Sequence, residues 1–403
     1  MRKYIILLLI MVMCSCQDKS TQEFLSFGNY RAELKVSNTE VLPFTFKVKD
    51  ANTLTVYNAE EQIEVDEITY RNDSIFINMP VFEALLAAKI ENGVLNGNFI
   101  VEGKGRTVPF VAKKNETRFN KGAEAKANIT GNWETVFSPE SDEDKYIAKG
   151  IFKQNGNHVT GTFRTETGDY RFLEGVVNGN DLKLSTFDGA HAFLFTGTVT
   201  DSTINGHFYS GNHWKEPFTA KRNENYELAS ANTLTYLKDG YDSLAFTFPD
   251  ANGNQVSLSD ARFKNKVVLV QIMGTWCPNC LDESKYYAQF YKDNKDKPIE
   301  IVALAFEYAK TEAKAFASIK RLQEKVGIEY PILLAQNGTT SKKKAQEKLP
   351  MLNHVLSYPT TVFVDKKGKV RKIHTGFNGP ATGDKFTEFK SEFTAFVDEL
   401  LKE

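Results

Sequence analysis

Three short segments of this chain recur at nearly one spacing. VPFVAKKN (108–115) returns as EPFTAKRN (216–223), LNGNF (95–99) as INGHF (204–208), and NDSIFI (72–77) as NDLKLS (180–185). The offsets are 108, 109 and 108 residues, and upstream GNY at 28–30 answers GNW at 131–133 after one gap. A chain that repeats itself in this way builds one kind of unit twice. The expected units span 25–118 and 128–224. Runs such as GTFRTETGDYRFLEGVV (161–177) and HAFLFTGTV (191–199) are broken by Asn-Gly, Asn-Asp and Asp-Gly pairs. That texture predicts short antiparallel strands in meanders, closing as sandwiches or barrels. Tight hairpins are expected at 96–97, 178–181 and 205–206. PVFEALLAAKI (80–90) reads instead as an inserted helix. Trp133 and Trp214 read as core or rim aromatics, and His207 and His213 as surface histidines rather than metal ligands.

The N-terminus is a separate matter. Met1-Arg2-Lys3 is basic, Tyr4 to Met13 is a continuous apolar run, and Met13-Cys14-Ser15-Cys16 follows. A basic start, a short apolar stretch and a small residue before the cut describe an export signal. The run is short for a permanent membrane span. Its ending resembles a bacterial lipobox, with Ser15 before the cleaved bond and Cys16 as the lipidated residue. Residues 1–16 are therefore expected to be a lipoprotein signal ending at that cysteine. Two acyl chains on Cys16 would give stable attachment to a membrane. Cys14 then leaves with the signal, so the mature chain keeps only two free cysteines, Cys277 and Cys280.

After a connector at 225–242 the texture changes. Residues 243–403 alternate buried-type strands (265–273, 299–306, 330–335, 360–365, 370–376) with amphipathic helices (280–293, 310–326, 384–403). Such alternation predicts an open sheet covered by helices on both faces. DKKGK at 365–369 reads as a solvated hairpin turn.

The remaining cysteines lie in GTWCPNC (274–280). A structural zinc site usually takes four ligands, and there is no second C-x-x-C knuckle and no histidine cluster to supply them. A disulfide across two residues closes a tiny loop and restrains the unfolded chain little. A redox couple needs only this pair, placed where a strand gives way to a helix. Cys277 at the helix N-terminus would face unpaired backbone N–H groups and the positive end of the dipole. Those features favour the thiolate and draw a cysteine from about 8.5 toward the ~3.5–7.5 range of reactive thiols. Pro278 fits an early helical position. Cys280, a turn further on, can attack a mixed disulfide formed at Cys277.

With SYPTTVFVD (357–365) downstream, VVLVQIMGTWCPNCLDE resembles the thioredoxin superfamily, and within it the TlpA/ResA-like thiol–disulfide oxidoreductases. The resemblance covers about 243–403 and implies a thioredoxin-like α/β fold there. It implies that Pro359 is cis and lies beside the cysteines. Trp276, Pro278 and Tyr358 would then contact an extended client segment. It also gives Glu283, three residues after Cys280, a part in the chemistry. Gln271 stands where thioredoxin proper has a buried Asp, so that proton carrier is missing. A peroxiredoxin setting of P-x-x-x-T-x-x-C is absent.

The expected protein is multidomain: an N-terminal all-β part of two repeated, meander or barrel-like units, then a thioredoxin-like domain. Its expected function is disulfide reduction in a bacterial cell envelope, lipid-anchored and facing the periplasm. Its partners would be disulfide-containing clients and a membrane thiol electron donor. No cofactor beyond the Cys277–Cys280 couple and no metal is expected. The net charge of −1 gives no basic field for nucleic acid. An alternative is a ligand- or partner-binding protein in which the β units bind and the thioredoxin-like domain senses redox state. In either case the reactive residues are expected to lie after residue 270, with the β units outside the chemistry.

Overall fold

A computed structural model describes residues 23–403. The signal at 1–16, with Cys14 and the lipidation call at Cys16, lies outside the described residues.

Both repeats are antiparallel meanders. The second closes on itself. Strands 131–137, 146–155, 158–165, 173–178, 181–187, 192–199, 203–210 and 214–222 follow one another around a ring. The first strand of the ring pairs with both the second and the last, and the second pairs with the third. The first repeat is a nine-stranded sheet in which the first strand (28–35) pairs with the last (106–114). Its seam lies between strands 61–65 and 67–71.

The repeat extends to atomic detail. Gly28 and Gly131 open the two first strands at φ of 124° and 121°. The Tyr30 hydroxyl donates to the Ser26 carbonyl at 3.0 Å, and the Trp133 indole donates to the Ile129 carbonyl at 2.8 Å. Each thereby satisfies the polar tip of a buried ring four residues back. Tyr30 pairs with Lys114, and Trp133 with Arg222.

Two expected hairpins and one helix are corrected. Asn96-Gly97 and Asn205-Gly206 lie inside strands 94–101 and 203–210. A Cβ on Gly97 would stand 2.0 Å from the Ala87 carbonyl oxygen, and one on Gly206 would stand 2.1 Å from that of Thr196. Glycine is there to let neighbouring strands approach where the sheet bends. The turn itself is Asn92-Gly93, with φ of 53° and 74°. At 178–181 the hairpin is where the sequence places it. Residues 80–90 hold no helix: Leu85–Glu91 is a strand with Leu86, Ala88 and Ile90 buried at period two. Pairing on both sides overrides its Ala/Leu composition.

The second ring is filled. Trp133, Phe137, Phe152, Phe163, Phe195 and Phe218 occupy its interior. The ring interior is thus a packed core. The first repeat shares one continuous core with the C-terminal domain and with Phe187 of the second repeat, whose ring stacks on Phe44 at 4.1 Å.

The C-terminal domain holds a five-stranded sheet ordered 332–336, 299–306, 267–273, 360–364, 370–375. The first three are parallel and the last two antiparallel. Helices Pro278–Asp293, Glu312–Val326 and Asp384–Lys402 match the sequence reading, and a short helix Lys342–Lys348 adds to it. The connector packs along this domain, with the Lys238 amide donating to the Met351 carbonyl and the Thr375 amide to Ala231.

Candidate active site

The strand Val267–Met273 is buried along its whole length and ends at Gly274-Thr275-Trp276. Helix Pro278–Asp293 starts directly after Cys277, which is its N-cap, with Pro278 in the first helical position. The Cys277 sulfur accepts from the Cys280 amide at 3.3 Å, and its thiol donates to the Tyr358 carbonyl at 3.3 Å. The two thiols are not joined. Cys277 is 7% exposed and Cys280 is fully buried. Burial, and then the hydrogen bond and charge of Cys277, push the Cys280 thiol well above its ordinary value.

Trp276 folds back over the strand end. Its indole donates to the Phe306 carbonyl at 2.9 Å, and its ring meets Tyr358 edge-on at 5.6 Å. A Cβ on Gly274 would lie 2.4 Å from that indole nitrogen, so glycine makes the fold-back possible. Tyr358–Pro359 is a cis peptide. Tyr358 is 7% exposed, and its hydroxyl has no hydrogen-bond partner among the described residues.

Glu283 is fully buried behind Cys280. Gln271 donates to it at 2.8 Å, Thr361 at 3.0 Å and Tyr287 at 3.3 Å. Desolvation dominates over these three donors and raises its carboxyl to about 7. Gln271 thus hydrogen-bonds a buried carboxyl rather than supplying one. A second buried carboxyl, Glu307, escaped the sequence reading. It accepts from the Thr275 amide at 2.8 Å and hydroxyl at 2.7 Å, fixing the loop that presents Trp276 and Cys277. Burial raises it to about 7 as well. Its only sequence signal was an acidic residue directly after the buried strand Ile299–Phe306.

Both β repeats reach this site, although Cys277, Cys280, Glu283 and Pro359 themselves all lie after residue 270. From the second repeat, the main chain of 165–169 lies along the couple. Asn279 donates to the Asp169 carbonyl at 3.3 Å, Ser357 donates to the Thr167 carbonyl at 2.9 Å, and the Gly379 amide donates to the Asp169 carboxylate at 2.6 Å. Arg171, 3% exposed, pairs with Asp282 in the first turn of the redox helix, with Glu61 of the first repeat, and with Asp188. From the first repeat, the Lys104 ammonium lies 5.3 Å from the Trp276 ring and 5.7 Å from that of Tyr308.

A cavity of about 660 Å³ remains between the repeats and the couple. Trp276, Cys277, Pro278 and Asn279 form one wall. Lys104 and Arg106 of the first repeat and aromatic residues of the second form the others. Trp214 and His213 stand on its rim and Trp133 lies in the ring core, whereas His207 is exposed on the barrel away from the site.

Residues 238–389 match the Redoxin family. The chain is 30% identical over 140 residues to the thiol-disulfide oxidoreductase ResA of Bacillus subtilis, covering 35% of this chain and 69% of that protein. It is 29% identical over 140 residues to the thioredoxin-like protein YneN of the same organism, covering 35% and 73%. Among solved structures, a thiol:disulfide interchange protein of the thioredoxin family from Chlorobium tepidum is 20% identical. That match covers 38% of this chain and 98% of the other, at a TM-score of 0.28. A strand-to-helix CPNC couple beside a cis-proline, in a Redoxin domain with this likeness to ResA, places the chain among the ResA/TlpA-like enzymes of the thioredoxin superfamily. The protein belongs to that family and is a thiol–disulfide oxidoreductase.

Proposed function

We propose that the enzyme works as a reductase of client disulfides in a bacterial cell envelope, held to the membrane by lipid on Cys16. The inequality of the two cysteines carries the chemical part of this reading. Cys277 opens on the cavity as the N-cap of a helix, while Cys280 is sealed beneath it with a raised pKa. Cys277 thiolate attacks the client disulfide and expels one thiolate. Cys280 then attacks the Cys277 sulfur, releases the second client thiol and closes the Cys277–Cys280 disulfide.

The second attack needs Cys280 to lose a proton inside a dry site. Glu283, with its carboxyl near pH 7, is suited to take it. Trp276 and Pro278 on the cavity wall, with Tyr358 and cis-Pro359 packed behind Cys277, orient the client. The couple itself carries both electrons, so the proposed enzyme uses no other cofactor. A membrane thiol donor restores the dithiol.

Direction is tested by the reduction potential of the couple, equilibrated against glutathione. A reductase is expected near the ~ −270 mV of thioredoxin, and a value near the ~ −120 mV of a strong oxidant would refute it.

A further inference from the structure

We propose that the cavity over Cys277 is a substrate site built by the β repeats, and that it selects disulfides bearing a carboxylate, through Lys104 and Arg106. The proposal rests on the reductase reading and narrows it to a substrate class.

The cationic wall is the first observation. Lys104 sits at the end of a single 3-10 turn, Glu102–Lys104, and Arg106 begins the following strand. Neither makes an ion pair or a side-chain hydrogen bond among the described residues. Lys104 is left with its two aromatic contacts. Of the acidic groups that act on it at longer range, Cys277 of the couple comes first and Asp188 second, and Asp188 is already held by Arg171 and His191. His213 of the second repeat joins the same cluster. Burial, then Arg106 and Lys104, depress its imidazole to about 4. Lys104 keeps solvent contact at the rim, yet crowding by protein and then Arg106 lower its ammonium pKa. Basic groups held together in this way repel one another, and an anion between them relieves that cost.

Two carboxylates share the cavity. Asp169 is turned to the amides of Arg171 and Gly379, and Glu166 lines the cavity without an ion pair to Lys104 or Arg106 among the described residues. The remaining walls are aromatic, chiefly Tyr146, Phe193, Phe208 and Trp214. A volume of about 660 Å³ is of the size that encloses small ligands. Segment 165–169 already occupies the surface beside the cis-proline loop, so a broad folded face cannot lie flat there. The matching substrate is a low-molecular-weight disulfide, or a disulfide on an extended chain end, with a carboxylate near the sulfur.

The reaction balances without another reagent. Cys277 thiolate forms a bond to one sulfur of R–S–S–R and breaks the S–S bond, and R–S⁻ leaves. Cys280 thiolate then bonds to the Cys277 sulfur and expels the second R–S⁻. The protein dithiol is oxidised by two electrons and the substrate is reduced to two thiols. The two protons pass from the protein cysteines to the products.

Full-length reduced protein is mixed in single turnover with oxidised glutathione, an acidic cystine-bearing peptide, hydroxyethyl disulfide and cystamine. Each rate is divided by that of a small dithiol acting on the same compound. At least one carboxylate-bearing disulfide should exceed the neutral and cationic ones by about ten-fold, and added salt should shrink that ratio. Preference for glutathione over the peptide marks a small-molecule site, and the reverse marks an extended chain end. Arg106→Gln, and independently Lys104→Gln, should lower the anionic-to-neutral ratio several-fold. Equal ratios across the four compounds, a preference for cystamine, or ratios unchanged in both variants would overturn the proposal while leaving the reductase reading intact. Failure to reduce any of the four would defeat the reductase reading itself, and the inference with it.

Discussion

Asn279, the residue before the second cysteine, donates its side-chain amide to the main-chain oxygen of Asp169 in the second β ring, at 3.3 Å. That bond joins the redox motif to a strand end more than a hundred residues away. The neighbour Gly168, at φ 146°, is tight against it: a Cβ there would stand 1.9 Å from the Asn279 nitrogen. Gly168→Ala therefore has neither the space nor the backbone freedom it needs. The 165–169 segment should lift away from the couple. Cys277, now 7% exposed, should be alkylated by iodoacetamide several-fold faster. An unchanged alkylation rate in the folded variant would show that this segment does not cover the thiol.

Arg171 ties three parts of the chain together at one buried point. Its partners Glu61, Asp188 and Asp282 come from the first repeat, the second repeat and the redox helix. Arg171→Met removes the buried cation shared by Glu61, Asp188 and Asp282, whose side chains are 11%, 1% and 8% exposed. Breaking a buried pair by removing one partner costs ~3–5 kcal/mol, and a loss of that order is expected in denaturant unfolding. Asp282→Asn in the Arg171→Met background should recover part of it, because one stranded charge is removed.

Glu283 gives stability a pH dependence of definite sign. Its carboxyl sits near 7 when folded against an ordinary 4.5, so the folded chain binds that proton more tightly. The associated stability is complete below the unfolded value and is lost as pH rises through about 7. At roughly 1.4 kcal/mol per unit, the slope between those limits amounts to a few kcal/mol. Glu283→Gln should flatten this share of the slope. It should also slow resolution at Cys280, and shift its pH profile, more than attack by Cys277. Wild-type and variant curves that run parallel would remove Glu283 from both roles.

Lipidation is read out separately from chemistry. Cys16→Ser should move the protein out of the membrane fraction and abolish acyl labelling, while disulfide reduction by the released chain persists. Acylation that survives Cys16→Ser and disappears in Cys14→Ser would assign the lipid to the other cysteine.

Much of this was legible in the chain because it depends on local pattern. The 108-residue offset marks two copies of one meander, and an apolar strand running into Cys277-Pro278 marks the redox helix. The failures are instructive. Asn96-Gly97 has the chemistry of a turn, yet Gly97 serves a strand crossing that only the assembled sheet reveals. Leu85-Leu86-Ala87-Ala88 favours a helix by propensity and becomes a strand by pairing. Arg171 and Asp282 stand 111 residues apart, and no local signal joins them. Nothing in the sequence around Lys104 shows that the first repeat carries it to Trp276. The side chains that shape access to the couple belong to this long-range class, so the sequence points to the reaction and not to its enclosure.

The central claim is that Cys277 attacks and Cys280 resolves. It is tested by exposing full-length Cys280→Ser and Cys277→Ser proteins to the same disulfide substrate and measuring intact mass. Cys280→Ser should accumulate a stable adduct of one substrate thiol on Cys277, released by a small dithiol, and Cys277→Ser should carry none. Equal adducts on both variants, or an adduct confined to Cys277→Ser, would contradict the assignment.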